Sequence, residues 1–171
     1  MSERDPTRSR QFERQAEGYL ELGMAQQSLD ALARLRAEAE LSAHGWYLHG
    51  ESLRALERHE EALVSLRKAA QLAPGNVHAW LAIGWCAKRT GRLAEAVDAM
   101  KRALAAEPGE ALLHYNLACY LSLSRQKGPA LAHLSEAFAL DPSYRERVDS
   151  EPDFDPLRSD PDFKALTGTA A

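Results

Sequence analysis

The chain is poor in the residues that most enzymes, exported proteins and membrane proteins display. Two cysteines occur in 171 residues, Cys86 and Cys119, and neither belongs to a Cys-x-x-Cys pair. Two cysteines cannot make a disulfide framework. No apolar run approaches the ~20 residues that a membrane helix needs. The opening Met1-Ser2-Glu3-Arg4-Asp5-Pro6 is charged and has no apolar core behind it. No export signal is therefore expected, and a reducing, cytoplasmic setting is. A Gly-rich phosphate loop, His-Glu-x-x-His, Gly-x-Ser-x-Gly and an Asp-rich calcium loop are all missing, so no cofactor or metal is expected. With 25 acids against 21 bases the net charge is −4, which disfavours a basic nucleic-acid binder.

What remains is ordinary in bulk. Hydrophobic residues make up 45% and charged residues 27%, within the range of a globular chain with a core of its own. The information lies in a period. Pro74, Pro108 and Pro142 recur every 34 residues, and the same step aligns Ala62, Ala96 and Ala130. It also aligns Ala69, Ala103 and Ala137; Leu66, Met100 and Leu134; Trp46 and Trp80; and Gly50 and Gly84. Each unit reads as two amphipathic helices. Trp80, Ile83, Gly84 and Ala87 recur at helical spacing, Gly91 breaks the run, and Leu93, Ala96, Val97, Met100, Ala103 and Leu104 mark a second helix. Glu107-Pro108-Gly109 ends it. The small residues Gly84 and Ala96 let the two helices of a hairpin approach closely.

This spacing resembles the tetratricopeptide repeat, whose pattern is Trp-x-x-Leu-Gly-x-x-Tyr, then Ala-x-x-x-Phe, Ala and Pro. The best copy here is Trp80-x-x-Ile83-Gly84-x-x-Ala87, Ala96-x-x-x-Met100, Ala103 and Pro108. Trp46, His49, Gly50, Leu53, Ala62, Leu66, Ala69 and Pro74 form the copy before it, and His114, Leu117, Ala118, Leu121, Ala130, Leu134, Ala137 and Pro142 the copy after. An earlier unit is degenerate: Phe12 takes the tryptophan slot, Tyr19 the tyrosine, Gly23 the turn, Ser28 the small alanine and Glu40 the proline.

The expected fold is therefore all-α: a right-handed superhelical solenoid of antiparallel helix-turn-helix repeats with a C-terminal capping segment. Repeats are expected at 9–42 (degenerate), 43–76, 77–110 and 111–142. Helices are expected near 9–22, 25–38, 43–56, 59–72, 77–90, 93–106, 110–123 and 127–140. Residues 1–8 are expected to be disordered. Residues 143–171 are expected to form an acidic cap and tail, with a mobile recognition peptide as the alternative. There Glu151-Pro152-Asp153-Phe154-x-x-Leu157 and Asp160-Pro161-Asp162-Phe163-x-x-Leu166 each combine a helix-start signal with an apolar pair on one face. This ending is similar to that of bacterial tetratricopeptide proteins that finish in an Asp-Pro-x-Phe-x-x-Leu seal. Residues 141–162 hold eight acids and three bases, so the rest of the chain is nearly neutral.

The resemblance implies partner binding on the face built by the first helix of each repeat. The candidates there are His44, Tyr47 and Arg54; His78, Leu81, Trp85, Lys88 and Arg89; and Tyr115 and Asn116. Trp85 is not the structural tryptophan of its repeat, since Trp80 fills that slot. A large aromatic there suits an anchor pocket for an apolar side chain, flanked by Tyr47 and Tyr115, the alternative being coverage by the C-terminal tail or a dimer partner. Arg54, Lys88 and Arg89 form a basic column. The carboxylate clamp of chaperone-binding family members is absent, because Tyr47, Glu51, Ala82, Leu112 and Asn116 stand at its positions. His44 and His78 share a repeat position but lack a third ligand, and no nucleophile–base pair is legible. The expected function is non-catalytic protein–protein recognition, an adaptor holding an extended peptide or partner helix, with no nucleic-acid or membrane partner. The expected state is a monomer or weak homodimer. The alternatives are a cytosolic chaperone for secreted translocator proteins and a structural oligomerisation module.

Overall fold

The computed structural model describes residues 6–38 and 40–168, and among them the regular structure is entirely helical. Eight long helices follow the 34-residue step: α1 (Pro6–Glu21), α2 (Ala25–Glu38), α3 (Ala43–Ala55), α4 (His59–Leu72), α5 (Val77–Arg89), α6 (Leu93–Ala106), α7 (Ala111–Leu123) and α8 (Lys127–Leu140). Three short elements follow: α9 (Tyr144–Val148), a 3-10 helix (Pro152–Leu157) and α10 (Pro161–Thr167). Helix α1 begins at Pro6, inside the stretch 1–8 expected to be disordered. Proline at the first helical position gives up no intrahelical bond and brings a φ that is already helical. Residues 1–5 of that stretch lie outside the described residues.

The turn inside each repeat has one physical requirement. Gly23, Glu57, Gly91 and Arg125, each 34 residues from the next, have φ of 73, 59, 75 and 57°. This left-handed residue lets the chain reverse while the last carbonyls of the first helix are satisfied. Gly23 N–H reaches Leu20 O and Met24 N–H reaches Tyr19 O, at 3.0 and 2.8 Å. Glu57 and Arg58 make the same pair of bonds to Arg54 and Leu53, and Arg125 and Gln126 to Ser122 and Leu121. The sequence marks the turn with glycine only at Gly23 and Gly91. At Glu57 and Arg125 the hydrogen bonds hold a residue with a Cβ in a conformation that costs it roughly 1–2 kcal/mol.

The described chain divides into two compact units between Thr90 and Gly91. In the first unit α1 pairs with α2 and α3 with α4, and α5 lies against α4 and α3. The α3/α4 hairpin closes on a small residue: a Cβ at Gly50 would stand 2.5 Å from Leu66 Cγ. Ala62, Leu66 and Ala69 are fully buried. Ser28, at the small-alanine position of the degenerate repeat, is also fully buried, with its hydroxyl 2.8 Å from Ser52 Oγ. The polar substitution is tolerated because its partner sits on α3. Glu13 of α1 accepts from the Ser42 hydroxyl at 2.6 Å, and Ser42 in turn caps α3 by accepting from Gly45 N–H.

In the second unit α6 packs on α7, and α7 pairs with α8. Ala96, Met100, Ala103, Ala130, Leu134 and Ala137 are fully buried, as the aligned positions require. The tryptophan slot shows why a histidine can stand in it. Trp80 Nε1 donates to Pro74 O at 2.7 Å in the first unit, and His114 Nε2 donates to Pro108 O at 2.9 Å in the second. His114 Nδ1 then meets His133 Nδ1 at 3.0 Å. With Nε2–H committed to a carbonyl, neutral His114 accepts at Nδ1 and His133 donates.

Replacing Glu57 or Arg125 by glycine removes the left-handed strain while adding the entropy of an unfolded glycine. Each variant should gain on the order of 0.5–1 kcal/mol by urea unfolding. Unchanged or lower stability would contradict the strain. Burial, as the leading cause, also lowers the pKa of His49 and His133 from the usual 6.5. The unfolded chain therefore binds more protons near that value, and stability present above pH 6.5 is lost as pH falls through the folded values. The urea midpoint should drop between about pH 7 and pH 5, and a His49→Asn/His133→Asn double variant should drop less. Equal drops in both proteins would contradict this.

Candidate functional site

Within the first unit, α1, α3 and α5 are the first helices of successive repeats and lie side by side. Their common face carries most of the candidate residues. His44 of α3 stands 3.6 Å from Glu17 of α1 and stacks on Tyr47, with ring centroids 6.4 Å apart. Tyr47 is half-buried. Its phenol is pushed up to about 12, first by burial and then by the neighbouring Glu51 carboxylate. Tyr47 is therefore an un-ionised phenol at neutral pH, with an apolar ring and one hydroxyl to offer. His78, at the start of α5, is exposed, and Leu81 is half-buried.

The densest part of the face surrounds Trp85. Arg54 places its guanidinium 5.2 Å from the indole centroid and Arg89 places its own at 4.8 Å. His59, at the start of α4, presents its ring edge-on at 5.0 Å. Cations within about 6 Å of an indole face are attracted by its quadrupole, more so when partly desolvated. Trp85 is consequently not a bare apolar pocket. Its ring lies half-buried under cationic groups, so the aromatic candidate and the basic column are one feature.

The two arginines are bound differently. Arg54 donates to Glu51 through Nε and Nη2, both at 2.8 Å, and that fork holds its pKa above the ordinary value. Arg89 is exposed and makes no ion pair with any described residue. Lys88 is half-buried beside it on the same helix. The repeat pattern gave no sign of His59, because it sits at the first position of a second helix, nor of Glu17, which lies in the degenerate repeat.

The second unit treats its corresponding face otherwise. Tyr115 occupies on α7 the repeat position that Tyr47 occupies on α3, yet it is only 5% exposed. Tyr144 lies 4.8 Å from it and Phe154 meets it edge-on at 5.6 Å. Burial drives the Tyr115 phenol far above its ordinary range, and its hydroxyl has no hydrogen-bond partner. The expectation that Tyr115 lines an open binding surface is thereby corrected. The C-terminal elements lie on top of it, because their aromatic side chains need the apolar face that α7 offers. Cys119 is likewise buried, while Asn116 keeps partial exposure.

Residues 144–167 are tied down at several points. Phe154, Phe163 and Val148 are almost wholly buried. Lys127 at the start of α8 contacts Asp160 and Asp162 at 2.6 and 2.7 Å. Arg158 donates to the carbonyls of Val148 and Glu151 and to Asp155, and Arg145 donates to Leu166 O. Glu151 and Asp160 accept from the backbone N–H groups at the starts of the 3-10 helix and α10.

No group of three or more metal-ligating side chains occurs among the described residues, and no described helix is long and apolar enough to cross a membrane. Cys86 and Cys119 are free and buried, and burial raises the Cys86 thiol to about 11, far from a reactive thiolate.

Comparison with known proteins places this geometry. Two tetratricopeptide repeat family models match residues 13–77 and 53–118. The chain is a tetratricopeptide repeat protein. Among solved structures it superimposes on MamA with a TM-score of 0.75 at 15% identity, over 83% of each chain. It also superimposes on MamA (residues 41 to the end) from Desulfovibrio magneticus RS-1, with a TM-score of 0.75 at 17% identity, over 94% of each chain. YrrB, described as a TPR protein with an unusual peptide-binding site, gives a TM-score of 0.72 at 25% identity, over 79% of this chain and 70% of YrrB. None of the curated proteins matches it. The all-α repeat class expected from the sequence is the class of these structures.

Proposed function

We propose that this tetratricopeptide repeat protein is a non-catalytic adaptor that holds an extended peptide or partner helix against the α1–α3–α5 face. The observation that carries the reading is the Trp85 cluster. A half-buried indole on α5 gathers two guanidiniums and the imidazole of His59 from the start of α4, and Tyr47 stands on the neighbouring first helix, α3. Tryptophan, tyrosine and arginine dominate the energetics of protein interfaces because they combine large contact area with directed hydrogen bonds. The peptide-binding site named for YrrB, a protein 25% identical to this one, supports the same kind of role.

In this reading Tyr47 and Leu81 supply apolar contact, His44 and His78 supply hydrogen bonds, and Arg54, Lys88 and Arg89 supply charge. Asn116 belongs to the α7 face, where the C-terminal elements limit access. Residues 9–142 serve as the binding scaffold and 143–171 as the cap of the last repeat, in a cytoplasmic protein.

A random peptide library selected on the immobilised full chain, followed by titration of the best peptide, tests this. Trp85→Ala should weaken binding by at least ~2 kcal/mol, the scale of an interface hot spot, with helicity unchanged by circular dichroism. Equal affinity of parent and variant for that peptide would remove Trp85, and with it the reading, from consideration.

A further inference from the structure

The chain carries an example of what a first-helix face of this protein accepts. On α7 the occupant is the chain's own 3-10 helix, Pro152–Leu157, whose neighbourhood reads Glu151-Pro-Asp-Phe-Asp-Pro-Leu157. This segment is acidic and brings one aromatic ring, Phe154, edge-on to Tyr115 at 5.6 Å. Tyr47 stands at the same repeat position on α3, and no described segment covers it in this way.

The two faces differ in what surrounds the tyrosine. Arg54 and Lys88 occupy the repeat position at which α7 has Ser122, and Arg89 adds a third cation beside Lys88. Three acids of these elements are engaged with partners of their own. Glu51 gives both oxygens to Arg54, and Glu17 stands against His44. At the start of α4, beside His59, Glu61 gives both oxygens to Arg58. Arg89 makes no ion pair with a described residue, and the indole of Trp85 lies beneath its guanidinium.

We propose that the α3–α5 face takes an acidic peptide segment bearing an aromatic side chain, the chemistry of the chain's own 3-10 helix. The aromatic ring packs against Tyr47, and the carboxylates pair with Arg89 in the positive field of Arg54 and Lys88. The occupant is a segment of a partner protein, since the chain's own copy of this chemistry is held on α7 by Phe154 and on α8 through Lys127. This inference rests on the adaptor reading and adds the charge and side-chain class of the partner.

The probe is a labelled synthetic peptide reproducing residues 150–157, titrated by fluorescence anisotropy into the full-length protein. Two companions replace Glu151, Asp153 and Asp155 by their amides, or Phe154 by alanine. The acidic peptide should bind about tenfold more tightly than either companion, and added salt should erode its advantage over the amide form. Arg89→Glu should abolish the preference for the acidic form while leaving circular dichroism unchanged. Equal binding of acidic and amide peptides, a preference that survives Arg89→Glu, or no binding of the acidic peptide would overturn the proposal. If a library-selected neutral peptide still depends on Trp85 in that event, the adaptor reading stands and only the partner's chemistry is wrong.

Discussion

The structure depends on one constraint, the close approach of the two helices within each repeat. It is met by a small residue on one helix facing a large one on the other, and by a left-handed residue at the turn. Gly50 leaves no room for a Cβ beside Leu66. Ala62, Ala96 and Ala130 are buried to the last atom for the same reason. Once the hairpin is fixed, the 34-residue step decides which side chains of α1, α3 and α5 share a face. The first-helix members of the candidate site therefore follow from the repeat period and not from any local motif.

The apolar part of this design was legible because packing imposes identity at fixed intervals. The aligned alanines and the Leu66–Met100–Leu134 series are all at zero exposure. The polar exceptions were less legible. His114 was readable as a substitute in the tryptophan slot, but the reason it works is a hydrogen bond to Pro108 O equivalent to that of Trp80 to Pro74 O. Glu57 and Arg125 hide a left-handed turn, because hydrogen bonding in the fold, rather than a glycine, enforces it.

The candidate site was legible in its members and not in their arrangement. Trp85 stood out as a surplus tryptophan, and Arg54, Lys88 and Arg89 as a basic column. Side-chain direction brings the two together, and a repeat alignment carries no such direction. His59 joined the cluster from a second helix, where the pattern gave no reason to look. Tyr115 shows the reverse case. Its repeat position is equivalent to that of Tyr47, but the aromatic residues of the C-terminal elements need an apolar face and cover it. Equivalence in a repeat fixes where a side chain starts and leaves open what lies above it.

In the proposed arrangement the two faces differ in availability: the one around Trp85 receives a partner, and the one around Tyr115 is filled by the chain's own segment. With three tryptophans in the chain, indole N–H resonances report this directly in a 15N-labelled sample titrated with the acidic peptide. Trp85 should shift on binding. Trp80, whose indole is bonded to Pro74 O, and Trp46, under Arg36, should stay in place. A titration that leaves Trp85 unmoved and instead perturbs the α7 residues around Tyr115 would contradict it.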